Sequence, residues 1–486
     1  MSIIGRDAEI RILENIYNSN KPEFLAIYGR RRVGKTYLIR HFFSAKDVLF
    51  FNVTGSKNGP MLEQINHFTG QISDVFYRGI SIQPAKNWDE TFKLLTRVLK
   101  EQVTENKKVI LFFDELPWMA TKNSRLLQAL DYYWNQHWSN DKRVKLIICG
   151  SSASWIINKI INNKGGLHNR ITKLIHLEPF DLAQTKQFLN AQGIDLNNRQ
   201  ISQLFMVMGG IPYYLSQIES GLSAAQIIEQ LAFSKNAFLV NEFDNLFASL
   251  FDDAEGYIKI IKIIAENRYG IGERVLLEKI GKHAVGSSGK KKLEELEQNG
   301  FIMSFRPLFH IKKGIYYRLT DEYSLFYLKW IEPMRDSLQK AALDQGNWQA
   351  VQTTPEWYSW LGYAFESICY KHLSKIRSAL KLSPAAIAST WRYVPIFGSK
   401  HRGAQIDLLF DRQDDTITIC EIKYTNEPFI LTKEYIDTLN RKVAVFKERT
   451  RTKKQVFIAM VSASGLQNNY YAESLHCGVA ELDDLF

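Results

Sequence analysis

The stretch Gly29-Arg30-Arg31-Arg32-Val33-Gly34-Lys35-Thr36 has the form G-x-x-x-x-G-K-[ST], and it constrains the chain more than any other feature. It lies between an apolar run at residues 24–28 (FLAIY) and a helical pattern that opens with Tyr37-Leu38-Ile39-Arg40-His41. A strand, a glycine-rich turn and a helix in that order curl backbone N–H groups around an anion, and the helix N-terminus adds partial positive charge. The expected ligand is the phosphate chain of ATP. Gly29, Arg30, Arg31, Arg32, Val33 and Gly34 form the loop, and Lys35 reaches the β and γ phosphates. Thr36 offers its hydroxyl to Mg²⁺, and Tyr37 follows in the first helical turn. The three consecutive arginine side chains exceed what phosphate binding requires and receive no role of their own.

The surrounding pattern fits such a loop. Apolar runs at residues 48–53, 109–113, 145–149 and 171–177 alternate with helical stretches at 89–99 and 124–138. Continuous apolar runs are the signature of strands buried on both faces of a parallel sheet, so an α/β, doubly wound domain is expected here. The run at 109–113 ends in Asp114-Glu115. At a strand tip beside the loop, Asp114 would hold Mg²⁺ through water and Glu115 would orient or deprotonate the attacking water. The run at 145–149 ends in Gly150-Ser151-Ser152, which puts Ser151 where a γ-phosphate sensor is expected. Arg170, just before the last run, is placed to reach a γ-phosphate in cis or in trans.

At 486 residues, and about 150 per domain, the chain has room for three or four domains. The apolar share of 45% and charged share of 23% exclude disorder, collagen and coiled coil as the main state. The net charge of +11 points to partners such as nucleic acid rather than to a fold. Four widely spaced cysteines exclude a disulfide scaffold and a zinc finger. No apolar run approaches the roughly eighteen residues of a membrane span, and the N-terminus shows no apolar leader core, so a cytoplasmic protein without membrane contact is expected.

The strings YGRRRVGKT, FFDELPWM, CGSSASWI with NNKGGLHNR, and GGIPYYL together resemble the archaeal-type AAA-like ATPases related to the STAND signalling NTPases. The resemblance implies a central strand inserted between the loop strand and the Asp-Glu strand, and a helical lid after the sheet. It also implies base contacts near Gly5 and Arg6 and a lid signature at Gly210 and Pro212. The domain boundaries expected are 1–180 for the ATPase core and 181–254 for the lid. A winged helix-turn-helix at 255–332 and a C-terminal α/β domain at 333–486 complete the chain.

The winged-helix expectation rests on three helical stretches at 257–265, 275–280 and 288–299. Gly300 stops the last of them, and β-like runs follow at 301–305 and 316–319. Lys290, Lys291 and Lys292 open the third helix, the end that enters a DNA groove in that arrangement, and Lys312 and Lys313 lie in the hairpin loop.

A second carboxylate cluster follows. Residues 405–410 (QIDLLF) and 416–423 (TITICEIK) read as a hairpin that brings Asp407 beside Glu421 and Lys423, the last two sharing a strand face. Two carboxylates and a lysine can hold a divalent cation, activate water and steady a phosphate. This resembles the PD-(D/E)XK nuclease motif, with Ile406-Asp407 in place of Pro-Asp. Glu366, on a preceding helix, is the third candidate ligand, with Mg²⁺ or Mn²⁺ as the ion. Arg441 and Lys442 on a following helix are candidate phosphate contacts.

The combined expectation is a P-loop ATPase that couples ATP hydrolysis to DNA binding and to metal-dependent DNA cleavage. The alternative is a nucleotide switch whose C-terminal domain binds DNA or a protein without cutting. A third reading is an oligomeric ring that remodels proteins, with Arg170 acting in trans.

Overall fold

The computed structural model describes residues 3–162, 167, 169–281, 287–308, 314–340, 347–395, 403–474 and 478–486. Lys312 and Lys313 lie outside the described residues. The chain divides into two compact units, Met1–Pro179 and Phe180–Phe486.

The first unit is built on a parallel sheet of β1 (Glu23–Tyr28), β2 (Val48–Thr54), β3 (Lys108–Asp114), β4 (Val144–Gly150) and β5 (Lys173–His176), in the order β2-β3-β4-β1-β5. All four pairings are parallel, so every crossover runs through helices or loops on the sheet faces. Strand β4 separates the loop strand β1 from the Asp-Glu strand β3, which is the inserted central strand that the resemblance implies. Its seven residues are all buried, and β3 is buried at every position except its first. Trp88, Phe92, Phe68, Phe113 and Trp138 fill one side of the sheet. The buried Trp138 indole N–H donates to the Thr96 hydroxyl at 3.0 Å, which satisfies it inside that apolar layer.

The second unit opens with helices Leu182–Ala191, Asn198–Met208 and Phe238–Leu250. Three helices, Ala254–Ala265, Glu273–Ile280 and Ser287–Gln298, then accompany a small antiparallel sheet. Its strands are β6 (Ile271–Gly272), β7 (Ile302–Phe305) and β8 (Tyr316–Leu319), in the order β6-β8-β7. Gly300 adopts φ 75° directly after the third helix, a left-handed stop that glycine takes without strain.

A mixed sheet closes the unit: β9 (Ile387–Tyr393), β10 (Ala404–Asp411), β11 (Thr416–Lys423), β12 (Gln455–Ser462) and β13 (Val479–Glu481), in the order β13-β12-β11-β10-β9. Its β9–β10 and β10–β11 pairs are antiparallel, and β11–β12 and β12–β13 are parallel. The helix Pro355–Lys371 precedes the sheet, and the helix Lys433–Thr450 makes the crossover from β11 to β12. The β9–β10 register shifts between Ile406 and Leu409, so Asp407 sits in a bulge, a feature that re-aims a side chain. No described helix is long and apolar enough to cross a membrane.

Candidate functional site

The loop after β1 is shaped by positive backbone angles. Gly29 has φ 149°, and a Cβ there would lie 2.2 Å from the Leu177 carbonyl oxygen, so only glycine fits. Arg32 (φ 72°) and Gly34 (φ 93°) turn the chain into the helix Lys35–Ser44. Lys35 is buried, and its ammonium donates to the Gly29 and Arg30 carbonyls at 2.8 and 2.9 Å, which holds the loop curled. Val33 is buried, and its carbonyl accepts from Nη2 of Arg6 at 3.1 Å. Arg6 and Gly5 are therefore buried beside the loop, with Gly5 at φ 65°.

The Thr36 hydroxyl donates to Oδ2 of Asp114 at 2.8 Å, joining the first helical turn to the tip of β3. Hydroxyl and carboxylate oxygens are the donors that a hard divalent cation takes, so the pair fits Mg²⁺. Glu115 adopts φ 50° just beyond β3, and its Oε2 accepts from both the backbone N–H and the hydroxyl of Ser151, at 3.0 and 2.9 Å. Burial pushes the Glu115 carboxyl above its ordinary range, against the pull of Lys35 and of the Ser151 bonds. Ser151 thus holds the expected base directly.

Tyr37 is half exposed, and its ring stacks on His41. Arg31 is half-buried within the loop, and Arg30 is buried. Arg170 is exposed in the turn before β5. Among the described residues its side chain bonds to no part of the loop, and its N–H donates to the Leu167 carbonyl at 3.1 Å. Pro212 opens the short helix Pro212–Leu215 in the second unit. Next to it, a Cβ on Gly210 would lie 1.8 Å from the Phe180 carbonyl oxygen.

In the C-terminal sheet, Asp407 on β10 accepts from the Gln405 amide at 2.9 Å. Burial and the neighbouring Glu421 raise its carboxyl above the ordinary range. Glu421 on β11 is also buried, yet Lys442 and Lys423 outweigh the burial and keep it ionised. Its Oε2 lies 2.6 Å from Lys442, and its Oε1 lies 3.1 Å from Lys423 and accepts from the Tyr435 hydroxyl at 2.8 Å. Glu366 is pushed up to about 7 by burial and by Asp407, and its Oε1 pairs with Arg268 at 2.9 Å. The hairpin therefore brings Asp407, Glu421 and Lys423 together with Glu366 nearby. Among the described residues, however, no three His, Cys, Asp or Glu side chains form a group able to hold a metal ion. Protein cations pair with Glu366 and Glu421 instead.

The three lysines expected at a DNA groove are each ion-paired: Lys290 with Glu273 at 3.1 Å, Lys291 with Glu295 at 3.8 Å and Lys292 with Asp253 at 2.5 Å. Sequence reasoning missed Arg268 and Arg318. They lie far from the carboxylates in sequence, and nothing local to either marks a partner across the fold.

A parallel sheet with this loop, a buried loop lysine and a threonine–aspartate pair at the next strand tips defines a P-loop nucleoside-triphosphatase domain. Residues 3–218, less than half of the chain, match the family model described as an ATPase domain predominantly from Archaea. Residues 327–438 match a model for archaeal and bacterial proteins of unknown function. The chain is 26% identical over 427 residues to an uncharacterized protein of Methanocaldococcus jannaschii, covering 87% of each. It is 27% identical to an uncharacterized ATP-binding protein of the same organism, covering 59% of this chain and 89% of that protein. Among solved structures, the Walker-type ATPase of Pyrococcus abyssi aligns with a TM-score of 0.45 at 18% identity, covering 67% of this chain and 96% of that one.

Proposed function

We propose that the first unit hydrolyses ATP with Mg²⁺, and that the second unit is the nucleic-acid-facing module whose behaviour this hydrolysis governs. The observation that carries the reading is the Thr36–Asp114 pair with Glu115 beside it. Lys35 and the loop N–H groups bind and orient the phosphates, as backbone cradles do. Thr36 and Asp114 would hold Mg²⁺, which neutralises charge developing on the phosphoryl oxygens. Glu115, ionised, accepts a proton from the attacking water, and Ser151 fixes the direction of its carboxylate. Gly5 and Arg6 close the loop on the side proposed for the base, and Arg170 is proposed to reach the γ-phosphate of bound ATP.

DNA is the proposed partner of the second unit. Lys447, Arg451 and Lys453, at and just beyond the end of the helix Lys433–Thr450, are exposed. Exposed cations of this kind bind a phosphate backbone with strong salt dependence. Cleavage of that DNA by Asp407, Glu421 and Lys423, with Glu366 and Mg²⁺ or Mn²⁺, is the second reading, favoured by the bulge that aims Asp407 toward the β11 carboxylate. A switch that binds without cutting is favoured by the lysines already seated on Glu421.

The deciding experiment incubates wild type, Lys35→Ala and Lys423→Ala with plasmid and linear DNA, with and without ATP, in Mg²⁺ or Mn²⁺. Phosphate release lost only in Lys35→Ala supports the ATPase assignment. DNA cutting that persists unchanged in Lys423→Ala removes the nuclease reading, and no cutting by any form leaves the switch.

A further inference from the structure

We infer that the side chains of Tyr363, Arg268, Tyr269 and Arg392 form a stacking ladder for an unpaired base, so that the second unit takes DNA in single-stranded form. This deepens the reading of DNA as the partner of that unit, on which it rests, by naming the form of DNA bound.

Three elements of the second unit assemble the ladder. Tyr363 and Glu366 stand three residues apart on the helix Pro355–Lys371, so they share a face. Nη2 of Arg268, which lies between the helix Ala254–Ala265 and β6, reaches Oε1 of Glu366 at 2.9 Å. The guanidinium carbon of Arg268 is 4.8 Å from the Tyr363 ring centre and 5.8 Å from that of Tyr269. On the edge strand β9, Trp391 is buried and meets Phe446 of the helix Lys433–Thr450 edge-on, with ring centres 5.2 Å apart. Arg392, the next residue, therefore points to the opposite face of the sheet. Its guanidinium carbon lies 4.4 Å from the Tyr269 ring centre. Phenol and guanidinium thus alternate from the half-buried Tyr363 outward to Arg392.

The outer end of the ladder is open. Tyr269 is 42% exposed, and Arg392 is exposed as well. An aromatic ring beside a planar cation offers an unpaired base both stacking and cation–π attraction, and any base fits because every base has a π face. The charge suits a nucleic acid too. Two arginines stand with the single carboxyl of Glu366, which is pushed up to about 7 and is therefore only partly ionised at neutral pH. Glu366 and the Tyr363 ring also fix Arg268 before any ligand arrives, so binding has less side-chain freedom to remove.

A single strand fits this surface better than a duplex does. Inside a duplex the faces of each base are covered by its neighbours, so a ring on the protein surface has no free face to meet. The helix Ser287–Gln298, the expected groove reader, has Lys290, Lys291 and Lys292 each beside an acid, which lowers the charge it presents to a duplex. Lys447, Arg451 and Lys453 are exposed charges that suit the phosphate backbone of either form. The ladder is what tells a free base from a paired one.

The test is fluorescence anisotropy on the full chain at fixed salt, with a labelled DNA single strand of mixed sequence, its duplex, and RNA of the same sequence. Tyr269→Ala is expected to weaken single-strand binding about tenfold and to leave duplex binding unchanged. Arg392→Lys keeps the charge but loses the plane, and it is expected to show the same selective loss. Tyr269→Phe keeps the ring and is expected to bind single strands as wild type does. Tyr269→Leu keeps bulk without a π face; it serves if alanine unsettles the ladder, and it is expected to match the alanine loss. Equal losses on single strand and duplex overturn the ladder, because Tyr269 then supports the fold alone, and leave the DNA reading standing. Unchanged single-strand binding in Tyr269→Ala also overturns the ladder. Tighter binding of the RNA than of the DNA single strand overturns DNA as the strand it takes. No binding of either DNA form by wild type removes DNA as the partner, and the ladder with it.

Discussion

The Thr36 hydroxyl donates to the Asp114 carboxylate across 2.8 Å, joining a helix start and a strand tip that stand 78 residues apart in the chain. The contact requires β3 and β1 to end at the same level of the sheet, with β4 as the spacer between them. Removing either oxygen should uncouple metal from phosphate while leaving the loop intact. Thr36→Val is expected to lower Mg²⁺-dependent ATP hydrolysis by about 100-fold or more, consistent with the weight of metal and electrostatic stabilisation in phosphoryl transfer. Binding of ATP without Mg²⁺ should change little. Phosphate release and nucleotide titration, each with and without Mg²⁺, check the two halves.

Glu115 and Ser151 make a separable prediction. Glu115→Gln keeps the two Ser151 bonds but cannot accept a proton, so hydrolysis should fall by about 10²–10⁴-fold with ATP affinity retained. The Ser151 hydroxyl helps to keep the Glu115 carboxyl from rising further. Ser151→Ala should therefore shift the acid limb of the kcat–pH profile to higher pH. A fall in rate with no movement of that limb would assign Ser151 to the nucleotide alone.

Gly29 tests the loop by sterics. Gly29→Ala places a methyl 2.2 Å from the Leu177 carbonyl oxygen at a backbone angle that L-residues rarely adopt. Either the loop or the end of β5 must move. ATP affinity is expected to fall by at least tenfold, and the loss of backbone fit predicts that ADP binding falls with it. Isothermal titration with both nucleotides measures this.

The first-unit sheet was legible because its information is local. Buried parallel strands read as unbroken apolar runs, and the loop motif names its own strand–turn–helix setting, so residues 24–28, 109–113 and 145–149 lie within β1, β3 and β4. The Asp407–Lys423 hairpin was legible from its alternation for the same reason. The partners of its carboxylates were not. Arg268 pairs with Glu366 across 98 residues, and Arg318 reaches Tyr370 from a different sheet. Neither arginine has a local pattern distinguishing it from the solvated majority. Strands β9, β12 and β13 also went unplaced, since their identity depends on a bulged or parallel neighbour rather than on their own composition. The acidic partners of the lysines at 290–292 were equally hidden, since Glu273 and Asp253 reach two of them from other helices or loops and only the Lys291–Glu295 pair is local.

Lys145 supplies a prediction about stability. It lies on the central strand β4, fully buried, and its ammonium donates to the Ser19 carbonyl at 2.9 Å and to the Lys21 carbonyl. Burial lowers its pKa from 10.5 to about 8, with Glu23 opposing and Lys108 assisting. Between those values the unfolded chain holds a proton that the folded chain has released, so stability rises with pH across that window. The stabilisation is complete above about 10.5 and is lost as pH falls through about 8, where the ammonium must be carried charged inside the sheet. Lys145→Met removes the titrating group and roughly keeps the side-chain length. Denaturant midpoints of wild type and variant should therefore separate in favour of wild type as pH is raised from 7 to 10. A constant difference over that range would mean that Lys145 titrates normally in the folded protein, and that the carbonyls of Ser19 and Lys21 solvate its charge as well as water does.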